Sequence, residues 1–233
     1  MLNTSVKKTT AWLLGCLSVT LIIGIVESPA ENQDMVSFRI HLTEKGCQMA
    51  IWLADGQGKF IDTIYVTRKV ALKGLGNRGG GLDDKWGGSR LSVLPVWAHH
   101  RGVDYGGGNF YPSKKKPLAD AISSATPKAG EFIWNWHSDA SLKPGEYVYY
   151  IEVNKSFDDN QHHDYSWYRG QPSVVWKGVI PVGEKPSASK AGIIGHGAVD
   201  GADGKIAPDV SSLTTALELI ESAEVTFTPG KKQ

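Results

Sequence analysis

The chain has 233 residues, 25 Lys and Arg against 24 Asp and Glu, and a formal net charge of +1. That balance gives no general attraction to nucleic acid or anionic lipid, and the length suits one domain with appendages. Twenty-seven glycines and eight tryptophans favour a turn-rich, aromatic-cored β protein over a helical one.

Residues 1–30 read as a targeting segment. Lys7 and Lys8 precede a sixteen-residue apolar run at 11–26, and Ser28-Pro29-Ala30 supplies small residues for cleavage after Ala30. The run also approaches the length of a membrane span, so an uncleaved anchor is an alternative. Leu13-Leu14-Gly15-Cys16 resembles a lipoprotein box that would lipidate Cys16. Each reading exports the remainder, to a periplasmic location with membrane contact only through an uncleaved or lipidated N-terminus. Beyond the leader Cys47 stands alone, so no intramolecular disulfide is available. It reads as a small core hydrophobe.

Residues 36–42 alternate apolar and polar side chains and predict a strand, with His41 on its polar face. Residues 49–54 and 60–67 predict a hairpin around the turn Asp55-Gly56-Gln57-Gly58. Regularity then breaks. Residues 73–88 read as loop around Gly79-Gly80-Gly81. A short helix is expected between Trp86 and Trp97, limited by Pro95. His99-His100-Arg101 follows, then a second long loop at 104–117 with Gly106-Gly107-Gly108 and Lys114-Lys115-Lys116.

Strand pattern returns at 132–137, with Phe132, Trp134 and Trp136 on one face, and again at 146–153 and 173–182. Residues 187–208 show little periodicity, 213–220 fit one or two helical turns, and 224–228 form a last strand before a polar tail at 229–233. About seven strands with mostly loop connections imply an all-β fold. We expect a single antiparallel β-sandwich over 31–228, with long irregular loops and one or two short helices.

The order of these blocks resembles a family of periplasmic proteins catalogued as domain of unknown function 2271. The resemblance is carried by the hairpin around ADGQGKF, by Asp120-Ala121-Ile122-Ser123-Ser124-Ala125-Thr126-Pro127, by Trp134-Asn135-Trp136, and by Lys143-Pro144-Gly145-Glu146-Tyr147. It covers most of 36–228 and implies an extracytoplasmic, Ig-like β-sandwich without an established reaction. It also implies a setting beside extracytoplasmic flavin transferases and PepSY-type membrane redox proteins as partners.

The stretch from Asp120 to Thr126, Asp-x-x-Ser-x-Ala-Thr, resembles the acceptor motif of proteins that carry FMN as a phosphoester on threonine. The resemblance makes Thr126 the acceptor, Asp120 the motif acid and Ser123 the motif hydroxyl. Ser124 stands where the pattern has glycine, and Pro127 where it has an apolar residue. The alternative is a polar turn in which Asp120 or Ser123 bonds nearby backbone N–H groups.

Asp158-Asp159-Asn160-Gln161-His162-His163-Asp164 is the densest ligand-bearing segment. Asp158, His162, His163 and Asp164 are its candidate ligands for a transition metal such as Zn, Cu or Fe, and His99 and His100 could join if the loops meet. A polar hairpin loop is the alternative. Asp200-Gly201-Ala202-Asp203-Gly204-Lys205 lacks ligands at the first and third positions of a calcium loop and reads as a turn. No catalytic constellation is present in the sequence. Three functions follow: a non-enzymatic accessory or binding module of a membrane-associated redox or metal-uptake system, a covalent FMN carrier on Thr126, or a His/Asp metal-binding module.

Overall fold

The computed structural model describes residues 33–43, 46–74, 90–113, 115–118, 123–138, 142–164 and 170–231. The leader at 1–30, the triple glycine at 79–81, Lys114 and the motif acid Asp120 lie outside the described residues. The described residues hold ten strands: β1 (Met35–Leu42), β2 (Gln48–Ala54), β3 (Phe60–Thr67), β4 (Ser123–Ser124), β5 (Gly130–His137), β6 (Gly145–Asn154), β7 (Val174–Val182), β8 (Ser187–Lys190), β9 (Gly192–His196) and β10 (Ile220–Thr228). Two six-residue helices, α1 (Arg68–Lys73) and α2 (Pro95–His100), and a 3-10 turn at Thr215–Glu218 complete the described elements.

The strands form an all-β sandwich, as the period-two patterns predict. One sheet runs β5-β1-β10-β8 and the other β4-β3-β2-β6-β7-β9. Every pairing is antiparallel except the two-residue contact of β4 with the end of β3. Alternation sets the faces. Val36, Phe38, Ile40 and Leu42 of β1 point inward and are fully buried, while Arg39 and His41 point to solvent. They meet Met49, Ile51 and Leu53 of β2, Tyr149, Ile151 and Val153 of β6, and Val225 and Phe227 of β10. Phe38 lies edge-on to Tyr149 with ring centroids 5.7 Å apart. Cys47 is buried and unbridged in this core.

A second core covers the outer face of the six-stranded sheet. Ala50, Trp52 and Ala54 of β2 and Val148 and Tyr150 of β6 pack there against Val70, Ala71, Val93, Leu94, Val96, Trp97, Ala98 and Tyr111. All seven residues of β2 are therefore buried. α1 and residues 93–111, where a short helix and then a loop were expected, thus form a third layer over this sheet.

Four expectations need correction. Pro95 starts the short helix instead of limiting it, because a proline at the first helical position has no N–H to lose and a φ already suited to the helix. Residues 187–196 hold two short strands, β8 at an edge of the four-stranded sheet and β9 at an edge of the six-stranded one. The last strand begins at Ile220, four residues earlier than its pattern suggests. The helical turns expected over 213–220 shrink to the single 3-10 turn.

Phe38→Ala should cost about 3–5 kcal/mol of stability, as for aromatic truncation in a close-packed interior. Ile133→Ala, on the outward face of β5 and 48% exposed, should stay within about 0.5 kcal/mol. Urea denaturation of both variants followed by tryptophan fluorescence checks the inward and outward faces of the smaller sheet.

Candidate functional site

The most perturbed acid in the described structure is Glu152, on the outward face of β6 and fully buried. Its Oε1 accepts from the Val96 N–H (3.2 Å) and the Ser173 hydroxyl (2.6 Å), and its Oε2 accepts from the Trp97 N–H (2.8 Å). The N-cap residue of α2, Leu94, has no side-chain acceptor. Glu152 therefore supplies from the sheet what a capping side chain usually supplies locally. The Leu94 N–H finds the Tyr111 hydroxyl at 2.9 Å, and that hydroxyl donates to the Leu91 carbonyl at 2.8 Å. Gly197 closes the opposite side, where a Cβ would sit 2.6 Å from both Pro95 Cγ and Ser173 Oγ.

Burial pushes the Glu152 carboxyl up to about 7, against three hydrogen bonds that favour its charged form. Ser173 can serve either state, donating to the carboxylate or accepting from the neutral acid. Every oxygen is engaged and no surface is exposed, so the group organises the fold and is not available to a ligand. No residue pattern marked it in the sequence, where Glu152 reads as one polar position of a β-rich run.

The flavin-acceptor-like stretch is held at the edge of the larger sheet. Ser123 and Ser124 form β4 alongside Val66 and Thr67. The Tyr65 hydroxyl donates to the Ala125 carbonyl at 3.1 Å, and Pro127 is buried. Thr126 is half-buried between these two fixed points, and Ser123 is half-buried in β4. Ser124 occupies strand backbone and adopts no positive φ, so the glycine of the acceptor pattern is not needed here. An open hollow of about 430 Å³ lies beside Thr126, lined by Arg68, Lys69 and Leu72 of α1 together with Ala125 and Thr126. Its size falls in the range of small-molecule sites, roughly 300–1,000 Å³. Thr126, two cationic residues and the apolar Leu72 and Ala125 form a set whose chemistry fits a phosphate-bearing ring compound. Sequence reasoning found Thr126 but missed Arg68 and Lys69, which only the docking of β4 on β3 brings to it.

The His/Asp segment is committed to hydrogen bonds. Asp158 Oδ1 accepts from the Thr215 hydroxyl (2.8 Å) and Oδ2 from the Gln171 amide (3.0 Å). Asn160 accepts from the backbone N–H groups of His162 (2.9 Å) and His163 (2.8 Å) and donates to the Ser212 carbonyl (2.8 Å). His163 Nε2 lies 3.0 Å from Ser212 Oγ, while His162 and Asp164 are exposed. Partial burial, with His196 and His162 nearby, pushes His163 below the usual imidazole range. The cluster ties the 158–171 segment to the 212–215 turn. Gly170, at φ +66°, lets the two ends of that segment approach, since a Cβ would lie 2.8 Å from the Asp158 nitrogen.

His99 and His100 lie in α2. His99 packs on Phe110, with ring centroids 4.4 Å apart, and His100 stands edge-on to Trp52 and Tyr150. Among the described residues no group of three or more His, Cys, Asp or Glu comes together in metal-ligating range. Asp200 and Asp203 accept from the N–H groups of Ala202 and Lys205, the turn chemistry expected of that segment. Comparison of the chain with protein-family models, curated proteins and solved structures finds no match in any of the three.

Glu152 carries the pH prediction for this region. Its folded-state value lies above its unfolded one, so the folded state holds an extra proton between about 4.5 and about 7. Stability contributed by that proton is present at low pH and is lost as pH rises through this window, by up to about 1.4 kcal/mol per pH unit. Thermal melts from pH 4.5 to 8 should show the decline. Glu152→Gln should flatten it while lowering stability by about 1–3 kcal/mol, because its amide N–H₂ faces the Trp97 N–H.

Proposed function

We propose that this chain is an exported, non-enzymatic accessory module of a membrane-associated redox system, and that it carries FMN as a phosphoester on Thr126. The observation that carries this reading is the position of Thr126. Its residue is pinned on both sides to the sheet edge, and the pinned segment opens on a hollow with two cations. The resemblance of residues 120–126 to flavin-acceptor motifs supports the same residue.

Attachment is a transfer catalysed by a separate extracytoplasmic flavin transferase with FAD as donor. Thr126 Oγ attacks the phosphorus on the FMN side of the FAD pyrophosphate. The Oγ–P bond forms, the pyrophosphate P–O bond breaks, AMP leaves, and the hydroxyl proton passes to a base on the transferase. The bound flavin supplies electron transfer, and a PepSY-type membrane protein is the proposed redox partner. This chain's contribution is to present the hydroxyl at an accessible edge with small neighbours. The metal-binding reading draws no comparable support, since Asp158 already spends both oxygens on Thr215 and Gln171.

Co-expression with an extracytoplasmic flavin transferase, followed by intact-mass measurement, tests the reading. Wild-type protein should gain the mass of one FMN less one water, and Thr126→Ala nothing. An unmodified wild-type chain, beside a control acceptor that the same transferase modifies, would refute it.

A further inference from the structure

Arg68 and Lys69 open α1 directly after β3, and both are exposed. Both line the Thr126 hollow, with Leu72, Ala125 and Thr126 beside them among the described residues. Arg68 enters no hydrogen bond or ion pair among the described residues. Its five N–H donors are carried on an exposed side chain that lines the same hollow as Thr126. A guanidinium stays charged across the physiological range and matches two phosphate oxygens with two parallel N–H groups. Leu72 and Ala125 offer apolar surface in the same hollow.

We infer that Arg68, assisted by Lys69, forms a phosphate seat in this hollow and recognises the phosphate of FMN apart from the covalent bond. The inference rests on the reading of the hollow as the flavin site. An ester on Thr126 Oγ puts phosphorus one bond from that oxygen, in the same hollow as the guanidinium. Free FMN, with a phosphate monoester charge near −1.5 to −2 at neutral pH, presents a still better partner than the diester. Riboflavin offers the same ring without the phosphate and so separates the seat from ring stacking.

The test is titration of the purified full chain with FMN and with riboflavin, followed by flavin fluorescence and calorimetry. FMN should bind at least about tenfold more tightly than riboflavin, the scale of one charge-assisted hydrogen-bond pair. Arg68→Gln should erase that ratio, Lys69→Gln should reduce it, and inorganic phosphate should compete with FMN but not with riboflavin. Equal affinity for the two flavins, FMN affinity unchanged in Arg68→Gln, or no binding of either at millimolar concentration overturns the seat. The two readings fail separately. Attachment by intact mass with no preference for FMN removes the seat and keeps the carrier; preference for FMN without attachment removes the carrier and keeps the seat.

Discussion

A carboxyl group with no exposed surface, bonded by two backbone N–H groups and a serine hydroxyl, holds the helical layer of this molecule against its larger sheet. Proline at the start of α2 removes one orphan N–H, and Leu94 cannot cap the rest. Glu152 satisfies two of them from a neighbouring strand. Apolar burial of Val96, Trp97 and Ala98 supplies the bulk of the attraction, but apolar contact alone would tolerate sliding. The carboxyl does not, because a shift of α2 leaves either a buried charge or buried N–H groups without partners. Trp97 is fixed a second time, by the hydrogen bond from its indole N–H to Thr63 Oγ1 at 3.1 Å and by the Arg101 guanidinium 4.8 Å above its ring.

The candidate flavin site depends on the same outer layer at its other end. α1 follows β3 without an intervening loop, and Gly74 ends it in left-handed conformation with its N–H bonded to the Val70 carbonyl. Val70 and Ala71 anchor the helix on the sheet, which leaves Arg68, Lys69 and Leu72 along the hollow. The Ala71 carbonyl also accepts from the Leu118 N–H at 2.9 Å, so the chain returning toward β4 is tied to the helix it will face. β4 then has only two pairs with β3, and the Tyr65 hydroxyl adds a third attachment at Ala125. Tyr65 is itself held by Phe132 and Trp134, each with ring centroids 5.0 Å away, and the Trp134 indole donates to the Ile64 carbonyl. Thr126 is thus positioned by both sheets.

What the sequence made legible follows from how many residues share one period. β1 and β5 each alternate over eight residues, so their faces could be assigned from the sequence. β8 and β9 have four and five residues, with glycines in β9, too short for alternation to stand above chance. The outer layer was hidden differently. Its residues are scattered through Gly- and Lys-rich segments, and their common partner is the second face of β2. The unbroken apolar run at Met49-Ala50-Ile51-Trp52-Leu53-Ala54 was the available signal, since burial on both faces removes alternation. Thr126 was legible as a local motif. Arg68 and Lys69 were not, because their closeness to Thr126 is a product of topology. In the His/Asp segment the partners of Asp158 and His163 were not legible either, because Ser212, Thr215 and Gln171 reach them from elsewhere in the chain.

A strongly shifted acid in a folded protein is often a guide to chemistry, and here it points away from it. Glu152 is fully buried beneath α2 with both carboxyl oxygens hydrogen-bonded, and Gly197 packs so closely on Pro95 and Ser173 that a Cβ there would clash. Thr126 has the reverse character. Nothing in the described structure shifts it or activates it, and its hydroxyl needs no activation from this chain if a second enzyme brings both the base and the flavin donor. What such an enzyme requires is an accessible segment whose backbone does not recoil, and a modified segment must afterwards stay accessible to a redox partner. An edge strand of two residues, anchored by one tyrosine and flanked by a buried proline, meets both requirements in a way that a residue inside either core could not.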